Sequence, residues 1–592
     1  MENSTEHRSE IFEKSVHQLF SFLKNSSTIK ECWLNAIEVN QDQFLVPVAN
    51  VSCKNNYLID ALTSWRNVYG DTFPTRFTAT ADSTKSWMLN NVIGNPNKIL
   101  FQIMDNANQL HGHIGLNLTN KYKGIIEIDN VAKSPESAPR GIMSASLEAL
   151  IKWSKEMVPV DYIELKVLES NKRALNFYSK NGFSNVNKIP LKLVHEEGKV
   201  SLVPDHNGVD DTFIVMRFTE KIEPGKSMIL TAGPSISQME ATMAYDAAAN
   251  GWNTNWSKYL TQFESEFADY VGAKYAIATS SCTGALQIAL MSLEIGAGDE
   301  VIVPDETWVA SATAVRDVGA TPIFCDVDLA TYNLNIDSLQ SKISNKTRAV
   351  VPVHMYGNPA DMTQLMELSY RYSLQVVEDA APAIGAKIGE RSCGTFGDFG
   401  CFSFQGAKML VTGEGGMLVT DEATLYEKAK KIADQGRNPT KTFWIDARGV
   451  KYKMSNVQAA IGLAQVRRVQ PQIFMKQRIN KWYREQLSEL KCIEFQDEYD
   501  DCRSIYWMTS IRLLDNAPIA RNELMQRLKS MNVDTRPLFP AISQYPIWNI
   551  SQQVNENASI LGKTALNLPS GVKLSFREVE YICNCIKFCL EH

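Results

Sequence analysis

The sequence has no excess of charge of one sign and no long apolar run. Its 60 lysine and arginine residues are balanced by 66 aspartate and glutamate residues, which gives a net charge of −6. Because no basic run stands out, we expect no nucleic-acid partner. No apolar stretch approaches the length of a membrane span, and the N-terminal segment is polar and lacks the apolar core of a signal peptide. We therefore expect a cytoplasmic protein with no membrane partner.

The sequence also lacks cysteine pairs with the spacing of metal ligands. The 11 cysteines are scattered along the chain without the spacing of a metal site, so we expect reduced thiols and no bound metal. A chain of 592 residues is too long for a single core, and its 44% hydrophobic and 21% charged residues are an ordinary globular balance. We expect roughly two to four domains.

The run from Cys401 to Gly416 carries the strongest chemical signal. A short apolar strand leads into a turn, Lys408 follows the turn, and Gly413, Gly415 and Gly416 close the run. Apolar neighbours desolvate the lysine, and desolvation lowers the pKa of an ammonium group, as a Schiff-base lysine requires. A buried lysine stem with a solvated head is the alternative, and this run alone leaves it open.

A second apolar strand runs from Leu374 to Asp379 and ends in two acidic residues. This pattern is typical of a buried parallel strand, and α/β sheets carry their chemistry at the carboxyl ends of such strands. A carboxylate there keeps a pyridinium nitrogen protonated, which makes pyridoxal phosphate an electron sink. Lys408 and Asp379 are the pair that this cofactor needs, so we predict that both are catalytic.

From about Thr231 to the C-terminus, the chain resembles the sugar-nucleotide aminotransferases of the DegT type. The matching motifs, in order, are Gly298-Asp-Glu-Val-Ile-Val-Pro304, Val353-His-Met-Tyr-Gly357, Val377-Glu-Asp-Ala-Ala381, Ser403-Phe404, Gly413-Glu-Gly-Gly416 and Gln458-Ala-Ala-Ile-Gly-Leu-Ala-Gln465. The resemblance implies an α/β aspartate-aminotransferase-type fold (PLP fold type I). In this fold a large domain with a mostly parallel sheet, expected over 236–475, precedes a small C-terminal α+β domain, expected over 476–592.

A hydroxyl-rich turn at Ser281, Cys282 and Thr283 precedes an apolar helix. A helix N-terminus binds phosphate through its free N–H groups and its dipole, although a simple capping turn has the same sequence. The resemblance adds Ser403, whose hydroxyl would reach the cofactor phosphate. It also adds Trp308, which would lie flat against the pyridine ring; a core tryptophan is the alternative.

The chain departs from the family pattern around the cofactor. Cys282 stands where the family usually has glycine, Pro382 where it usually has a glutamine near the phenolic oxygen, and Ile384 where some members have histidine. The last two changes remove polar partners of the cofactor. They leave the lysine and the pyridine contacts in place.

The segments 435–439, 443–444 and 449–456 are most similar to perosamine synthases, which aminate C4 of a 4-keto-6-deoxy sugar nucleotide. Those enzymes carry asparagine where Lys451 stands, and the neighbouring subunit offers it to the cofactor phosphate. The resemblance implies a sugar nucleotide and glutamate as substrates. It also implies a homodimer in which Lys451 contacts the phosphate across the subunit boundary.

Residues 1–50 open with apolar residues at helical spacing, namely Ile11, Phe12, Val16, Leu19, Phe20 and Leu23. They carry no chemistry, so we predict a helical extension that docks or oligomerises. Short strands and helices alternate over 51–220, and proline, glycine and charge over 221–235 mark a linker.

The stretch from Leu168 to Phe183 resembles the Gcn5-related N-acetyltransferases, with Asn171 as a helix N-cap and Gly182 as its stop. In that family the loop at Arg140-Gly141 offers backbone N–H groups to the pyrophosphate of coenzyme A. The resemblance implies a mixed-sheet acyl-CoA N-acyltransferase domain. Its implied acetyl-CoA contacts are Val131, Arg140, Gly141, Asn171 and Tyr178.

Tyr178 matches the residue that reprotonates the leaving thiolate, although an aromatic that packs its helix on the sheet is the alternative. A second glycine is expected near Met143 and is absent. Trp65-Arg-Asn67, with Trp87-Met88 downstream, is similar to acetyltransferases that act on amino-sugar nucleotides. The domain is therefore either a working acetyltransferase or a degenerate binding module.

These features predict a fusion of two enzymes. The C-terminal half would aminate a keto sugar nucleotide through pyridoxal phosphate, and the N-terminal half would acetylate the new amine from acetyl-CoA. An aminotransferase with a scaffolding N-terminal domain is the main alternative. Lys408 argues against the related dehydratases, which have histidine there, and the chain has no helix-turn-helix pattern for a DNA-binding regulator.

Overall fold

The structure is a computed structural model that describes residues 2–158, 160–196, 198–219, 224–548 and 555–591; the side chains of residues 2–8 and 11 are not among the described parts. The chain forms two compact units. One consists of Met1–Ile222 with Ser237–Thr242, and the other of Glu223–Ile236 with Met243–His592.

The first unit is a mixed α/β unit. Its helices are α1 (Glu2–Lys24), α2 (Ile29–Leu34), α3 (Asn56–Val68), α4 (Ala81–Trp87), α5 (Ile142–Met157) and α6 (Lys172–Lys180). Its strands are β1 (Ile37–Asn40), β2 (Gln43–Pro47), β3 (Thr75–Arg76), β4 (Lys98–Asp105), β5 (Leu110–Asn120), β6 (Ile125–Lys133), β7 (Tyr162–Leu168), β8 (Phe183–Glu196), β9 (Lys199–Pro204) and β10 (Asp211–Phe218).

These strands form one ten-stranded sheet in the order β1-β2-β4-β5-β6-β7-β10-β8-β9-β3. The β6–β7 pair is parallel, and its pairing covers only residues 125–127 and 162–164. Both strands continue, so they separate beyond this short ladder. The separation opens a gap at the C-terminal ends of β6 and β7.

The predicted helical extension over 1–50 is not a separate element. Its segment supplies β1 and β2 to the ten-stranded sheet. On α1, Phe12, Val16 and Phe20 are buried in the same hydrophobic core as the strands and α5. The apolar stripe of α1 therefore packs on its own unit and is not exposed for a docking partner. The side chain of Ile11 lies outside the described residues.

The second unit contains the helices α7 (Gln238–Asn250), whose first residues are counted with the first unit, α8 (Lys258–Val271), α9 (Cys282–Ser292), α10 (Ala310–Asp317), α11 (Ile336–Lys342), α12 (Met362–Tyr372), α13 (Ala423–Ala433), α14 (Asn456–Arg467), α15 (Val469–Leu487), α16 (Arg521–Ser530), α17 (Glu556–Thr564) and α18 (Phe576–Glu591). Its strands are β11 (Tyr275–Thr279), β12 (Glu300–Pro304), β13 (Thr321–Cys325), β14 (Thr347–Val350), β15 (Gln375–Asp379), β16 (Lys387–Ile388), β17 (Arg391–Ser392), β18 (Phe399–Ser403), β19 (Gly416–Thr420), β20 (Ile493–Phe495), β21 (Cys502–Arg503), β22 (Thr509–Leu513), β23 (Arg536–Pro537) and β24 (Ala565–Leu568).

The main sheet of this unit has the strand order β11-β19-β18-β15-β14-β12-β13. The strands from β18 to β13 pair in parallel, and β19 runs antiparallel to both of its neighbours. Both faces are covered, so β12, β15 and β18 are nearly continuous buried runs, as expected for a parallel sheet. The predicted mostly parallel sheet is confirmed.

A four-stranded antiparallel sheet, β20-β22-β24-β23, forms the C-terminal α+β part. It shares a hydrophobic core with α15, α16 and α18. The boundary predicted at residue 475 falls inside α15, because this one helix packs on the aminotransferase core with Ile473 and on the small sheet with Ile479.

The predicted linker over 221–235 is also corrected; residues 221–223 lie outside the described residues. From residue 224 the segment belongs to the second unit. Thr231 is fully buried, and its Oγ1 donates to Asp534 Oδ2 over 2.5 Å. Ile229 forms a β-bridge with Val533. The proline and glycine content that indicated a linker therefore belongs to a segment fixed to the aminotransferase core.

In the described part of the chain, no helix combines the length and the apolar character that crossing a membrane requires.

Candidate functional site

Asp379 ends β15 at the carboxyl edge of the parallel sheet, as the sequence predicted. Its carboxylate is almost fully buried and is held from both sides. Ser311 Oγ donates to Oδ2 over 2.7 Å, and the backbone N–H of Ala381 donates to Oδ1 over 3.1 Å. The carboxylate is thus fixed in orientation before it contacts any ligand.

Lys408 lies in the turn after β18, where its backbone N–H donates to Gln405 O over 2.8 Å. Its ammonium lies over the indole ring of Trp507, 4.1 Å from the ring centroid. Burial lowers the pKa of Lys408, and the charge of Asp379 and the Cys282 thiol partly offset this effect. The lysine predicted from the sequence is therefore desolvated and close to the predicted aspartate.

The predicted phosphate turn stands at the N-terminus of α9. Ser281 is the N-cap, and its Oγ accepts a hydrogen bond from Gly284 N over 3.0 Å. The N–H groups of Cys282 and Thr283 belong to the first turn, where no helical carbonyl precedes them. They are available to an anion together with the positive end of the helix dipole.

Two further features complete this turn. Ser403 pairs with Gly416 across β18 and β19. A Cβ on Gly416 would lie 2.5 Å from the carbonyl carbon of Ser281, so only glycine allows the strand to pass this close to the turn. The structure therefore brings Ser403 and the 281–283 turn to one place.

Cys282 connects the turn to the acidic residue. Its Sγ lies 4.0 Å from Asp379 Oδ1. Burial and the charge of Asp379 raise the pKa of the Cys282 thiol well above its ordinary value. The thiol therefore stays protonated and donates a weak hydrogen bond to Asp379.

Trp308 is 59% exposed and begins a row of aromatic side chains. Its ring lies 5.5 Å from Phe539, Phe539 stacks on Tyr356 at 6.3 Å, and Tyr356 stacks on Trp507 at 5.9 Å. Trp507 carries the Lys408 ammonium on its face. The row joins two predicted cofactor contacts that are distant in sequence.

Lys451 is placed beside the turn without reaching into it. The backbone of Tyr452 accepts a hydrogen bond from Ser280 N over 2.7 Å, so the Lys451–Lys453 stretch runs along the turn of its own chain. The Lys451 side chain is 58% exposed, and its Nζ lies 3.9 Å from Asp434 Oδ1.

Glu306 was not predicted from the sequence. It is 1% exposed, and among the described residues neither of its carboxyl oxygens makes a hydrogen bond of good geometry. Burial raises the pKa of Glu306 to about 8, with the charge of Asp305 adding to the effect and the backbone amide of Phe539 opposing it. Glu306 therefore remains a neutral acid at neutral pH.

The first unit has a cavity of about 760 Å³ where β6 and β7 separate. Residues 127–131 of β6 and 166–168 of β7 line it. Of the predicted acetyl-CoA contacts, Val131, Asn171 and Tyr178 line this cavity. The structure therefore brings these residues from β6 and α6 together.

Arg140 and Gly141 lie outside the lining of this cavity and are exposed. Gly141 caps α5 with φ of 87°, a left-handed conformation that glycine adopts without strain. The backbone N–H of Ile142 donates to Pro139 O over 3.3 Å and that of Ser144 to Gly141 O over 3.0 Å, so the start of the 16-residue α5 is partly satisfied by its own turn. The exposed residues before it leave this helix N-terminus accessible to an anion.

Tyr178 packs on the sheet and also lines the cavity. Its ring packs edge-on against Phe183, 5.8 Å between centroids, and is 8% exposed. The same residue lines the cavity. Burial and the charge of Asp129 raise the pKa of Tyr178, so the phenol keeps its proton at neutral pH.

Charged groups that the sequence did not single out line the cavity. Lys166 Nζ lies 2.7 Å from Glu127 Oε2, and Lys98 Nζ lies 2.8 Å from Asp129 Oδ2. Burial raises the pKa of Glu127 despite the nearby Lys166. Side chains alternate between the two faces along β6, so Glu127 and Asp129 lie on the same face of the sheet. This spacing could have indicated a pair of acidic residues from the sequence.

His113 on β5 also lines the cavity. Its Nδ1 lies 2.5 Å from the carbonyl oxygen of Asn130, and burial lowers the pKa of the imidazole to about 4. The imidazole is therefore neutral. Since a carbonyl only accepts, Nδ1 carries the hydrogen and Nε2 keeps its lone pair.

Comparison with known proteins identifies the family of the second unit. Residues 234–587 match the model of the DegT/DnrJ/EryC1/StrS aminotransferase family, which is more than half of the chain. The chain belongs to this family. The resemblance identified from the ordered motifs of the sequence is thereby confirmed.

Relatives of this aminotransferase family include the GDP-perosamine synthase of Escherichia coli, which is 38% identical over 353 residues. That match covers 60% of this chain and 96% of the relative. The GDP-perosamine synthase of Caulobacter vibrioides is 35% identical over 356 residues, with coverage of 60% and 96%. Among solved structures, the aminotransferase TlmJ from Streptoalloteichus hindustanus is similar, with a TM-score of 0.58, 30% identity and coverage of 62% of this chain and 99% of that one.

Residues 62–183 match the model of the GNAT acetyltransferase family. The match lies within the first unit and includes β6, β7 and α6, which line the cavity. The predicted mixed-sheet acyltransferase domain is confirmed.

Aminotransferases of the DegT/DnrJ/EryC1/StrS family use pyridoxal phosphate, and the residues of the second unit fit it. A desolvated lysine, an oriented carboxylate and a helix N-terminus lie together. The lysine suits the carbonyl of the cofactor, the carboxylate suits its pyridine nitrogen, and the helix N-terminus suits its phosphate. The close approach of Gly416 to Ser281, which only glycine allows, holds β19 against this turn.

Sequence reasoning missed Ser311, Trp507 and Tyr356 in this site. Ser311 and Trp507 belong to segments without a motif of their own, and Tyr356 lies in the motif Val353-His-Met-Tyr-Gly357, which assigned it no contact. Each of the three contacts a residue that is distant in the chain. No local pattern marks such a contact.

Proposed function

We propose that the second unit transfers an amino group from glutamate to the keto carbon of a 4-keto-6-deoxy sugar nucleotide. The observation that carries the proposal is the meeting of Lys408, Asp379 and the 281–283 turn at the edge of the parallel sheet. The similarity to two GDP-perosamine synthases supports a sugar nucleotide as the acceptor.

Pyridoxal phosphate, when bound, supplies an electron sink for the carbon that loses a proton. Asp379, held by Ser311, would keep the pyridine nitrogen protonated. Ser281, Cys282, Thr283 and Ser403 would hold the phosphate, and Trp308 would contact the ring. Lys408 would hold the cofactor and then move the proton, since burial lowers its pKa and leaves more of its amine unprotonated near neutral pH, where it can accept a proton.

Lys408→Ala tests this assignment. The purified wild-type protein is expected to have a visible absorbance band that requires Lys408, and the variant is expected to lose both the band and amino transfer. Lys387→Ala, a half-buried lysine on β16 of the same unit, is the matched control and should keep both. Full activity of Lys408→Ala would overturn the assignment.

The substrate is tested by mass spectrometry of products from a panel of 4-keto-6-deoxy sugar nucleotides with glutamate. GDP-linked sugars are the first to test, because the two relatives are GDP-perosamine synthases. Amination of none of the panel would overturn the proposed substrate class.

We further propose that the first unit acetylates the new 4-amino group from acetyl-CoA. The support is the cavity between the separated ends of β6 and β7, which is lined by Glu127, Asp129 and Tyr178. The amine nitrogen attacks the thioester carbon, a C–N bond forms and the C–S bond breaks. Glu127 takes the proton from the amine, and Tyr178 gives its proton to the leaving thiolate.

Glu127 suits the role of base because burial raises its pKa towards the working pH. Glu127→Gln keeps the shape of the side chain and removes its basicity. We expect acetylation to slow by roughly 10²–10⁴-fold, with transamination unchanged. Equal acetylation by this variant and the wild type would exclude Glu127 as the base.

The alternative is a first unit that only scaffolds or binds substrate. The experiment that separates the two supplies the purified amino-sugar nucleotide with and without acetyl-CoA. Formation of an acetylated product supports the fusion of two enzymes. A wild-type protein that never consumes acetyl-CoA supports the scaffold.

The proposed setting is the cytoplasmic synthesis of sugars for a surface polysaccharide such as an O-antigen. We also propose a homodimer in which Lys451 contacts the phosphate of the cofactor bound to the neighbouring subunit. The exposed Lys451 side chain beside the turn is consistent with a contact outside its own chain.

A further inference from the structure

Trp507 contacts both Lys408 and the residue before it. The ammonium of Lys408 lies over the indole ring, 4.1 Å from its centroid. The indole Nε1–H donates to the carbonyl oxygen of Ala407 over 2.9 Å. One side chain therefore contacts both the charged end of the lysine and the backbone directly before it.

Trp507 is itself held firmly. It is 8% exposed, and Tyr356 stacks on it with an interplanar angle of 24°. Its backbone carbonyl accepts a hydrogen bond from the buried Lys476, whose Nζ lies 2.8 Å away and also donates to Ser570 O. A ring held from its face, its N–H and its backbone presents a fixed surface to Lys408.

We propose that Trp507 is the positioning residue of Lys408: its ring face receives the lysine ammonium, and its indole N–H fixes the turn from which the lysine extends. The inference rests on the role of Lys408 under the proposed function.

The physical reason is the charge that Lys408 takes up. The lysine amine accepts one proton from a carbon, becomes an ammonium, and returns the same proton to another carbon, so the balance closes without a further reactant. Burial disfavours the ammonium. The negative face of an indole ring favours it, and cation–π contacts are strongest when the cation is desolvated.

A purely structural tryptophan is the competing explanation, and it predicts a different result. Such a residue changes stability when it is replaced and leaves the titration of Lys408 unchanged. The titration is therefore the informative measurement. It is made on the full chain after any bound cofactor has been removed, by NMR of reductively ¹³C-methylated lysines, with Lys408→Arg to assign the signal.

In Trp507→Leu the ring is lost, and we expect the pKa of Lys408 to fall by about one unit. In Trp507→Phe a smaller ring face remains, so we expect a smaller fall, while loss of the bond to Ala407 lowers kcat more than it changes KM. Trp482→Phe is the matched control. This half-buried tryptophan on α15 packs edge-on against Phe576, and its replacement should leave the Lys408 titration unchanged.

The same titration of Lys408 in wild type, Trp507→Leu and Trp507→Phe would overturn the inference. If Trp507→Leu does not fold, Trp507→Phe decides alone: a lowered pKa supports the inference, and an unchanged one overturns it. The measurement needs no substrate. Failure of the proposed function would appear instead as a wild-type protein that aminates no sugar nucleotide.

Discussion

Ser311 donates a hydrogen bond to Asp379, with 2.7 Å between its Oγ and Oδ2 of the carboxylate. Ser311 is buried on the first turn of α10, so water does not compete for this bond. The bond fixes the carboxylate that is expected to hold the pyridine nitrogen. Under the proposed function, Ser311 would influence the cofactor through Asp379 without touching it.

Ser311→Ala is expected to weaken cofactor binding by roughly 10- to 100-fold, because a hydrogen bond to a charged group contributes about 1.5–3 kcal/mol. Titration of the cofactor by absorbance measures the effect. Ser292→Ala is the control, since this buried hydroxyl on α9 donates only to Ile288 O of its own helix. Equal cofactor affinity in the two variants would contradict the role of Ser311.

Tyr178→Phe keeps the ring that packs against Phe183 and removes the hydroxyl. Acetylation is expected to fall by about 10²–10⁴-fold, the usual contribution of a positioned general acid. Transamination should be unchanged, so the free amino sugar accumulates and is detected by mass spectrometry. Tyr162→Phe, a 44% exposed tyrosine on β7, should acetylate like the wild type. An equal loss in both variants would indicate a general effect on the domain.

The proposed shared active site predicts complementation between two inactive variants. Lys408→Ala lacks the proposed catalytic lysine, and Lys451→Ala lacks the proposed contact with the cofactor phosphate in the neighbouring subunit. A hybrid dimer of the two has one site with both residues intact, so mixing should restore part of the activity. Sedimentation checks the oligomeric state, and a fully active monomer would refute the shared site.

Glu306 predicts a pH-dependent stability. Burial raises its pKa to about 8 in the folded protein, with Asp305 adding to the effect. Between the ordinary carboxyl pKa and about 8, the folded chain holds a proton that the unfolded chain has released. The free energy of unfolding contributed by Glu306 therefore falls as the pH rises through this window.

Glu306→Gln removes the titration and keeps the shape. The melting temperature of the variant relative to the wild type should be higher at about pH 9 than at about pH 5. The hydroxyls of Tyr332 and Tyr356, which interact with Glu306, are not expected to titrate there because burial raises their pKa values. The same difference at both pH values would refute the prediction.

The sequence predicted the elements whose signals are local. Asp379 at the end of an apolar strand and Lys408 in a glycine-rich run were both found in this way, because strand ends and turns are marked by neighbouring residues. The helix from Lys172 to Lys180 has the predicted bounds, since Asn171 and Gly182 mark its two ends.

The contacts between distant segments were not predictable. Trp507 meets Lys408 only because the main sheet and the small sheet pack into one unit. The prediction of an extension over 1–50 missed β1 and β2 because these strands have only four and five residues, and alternation over so few residues is not distinctive. Their place at the edge of the sheet depends on pairing with β4, which follows some 50 residues later.

Thr231 and Asp534, more than 300 residues apart, are bonded through a segment whose composition indicated a linker. Suppose that a gene exchanged everything before residue 236 for another acetyltransferase. The aminotransferase would then lose the segment that contains Thr231, and Asp534 would lose this hydrogen bond. Viable exchanges are therefore expected to keep the sequence from residue 224 onward, so that the inherited aminotransferase module is longer than the family match itself.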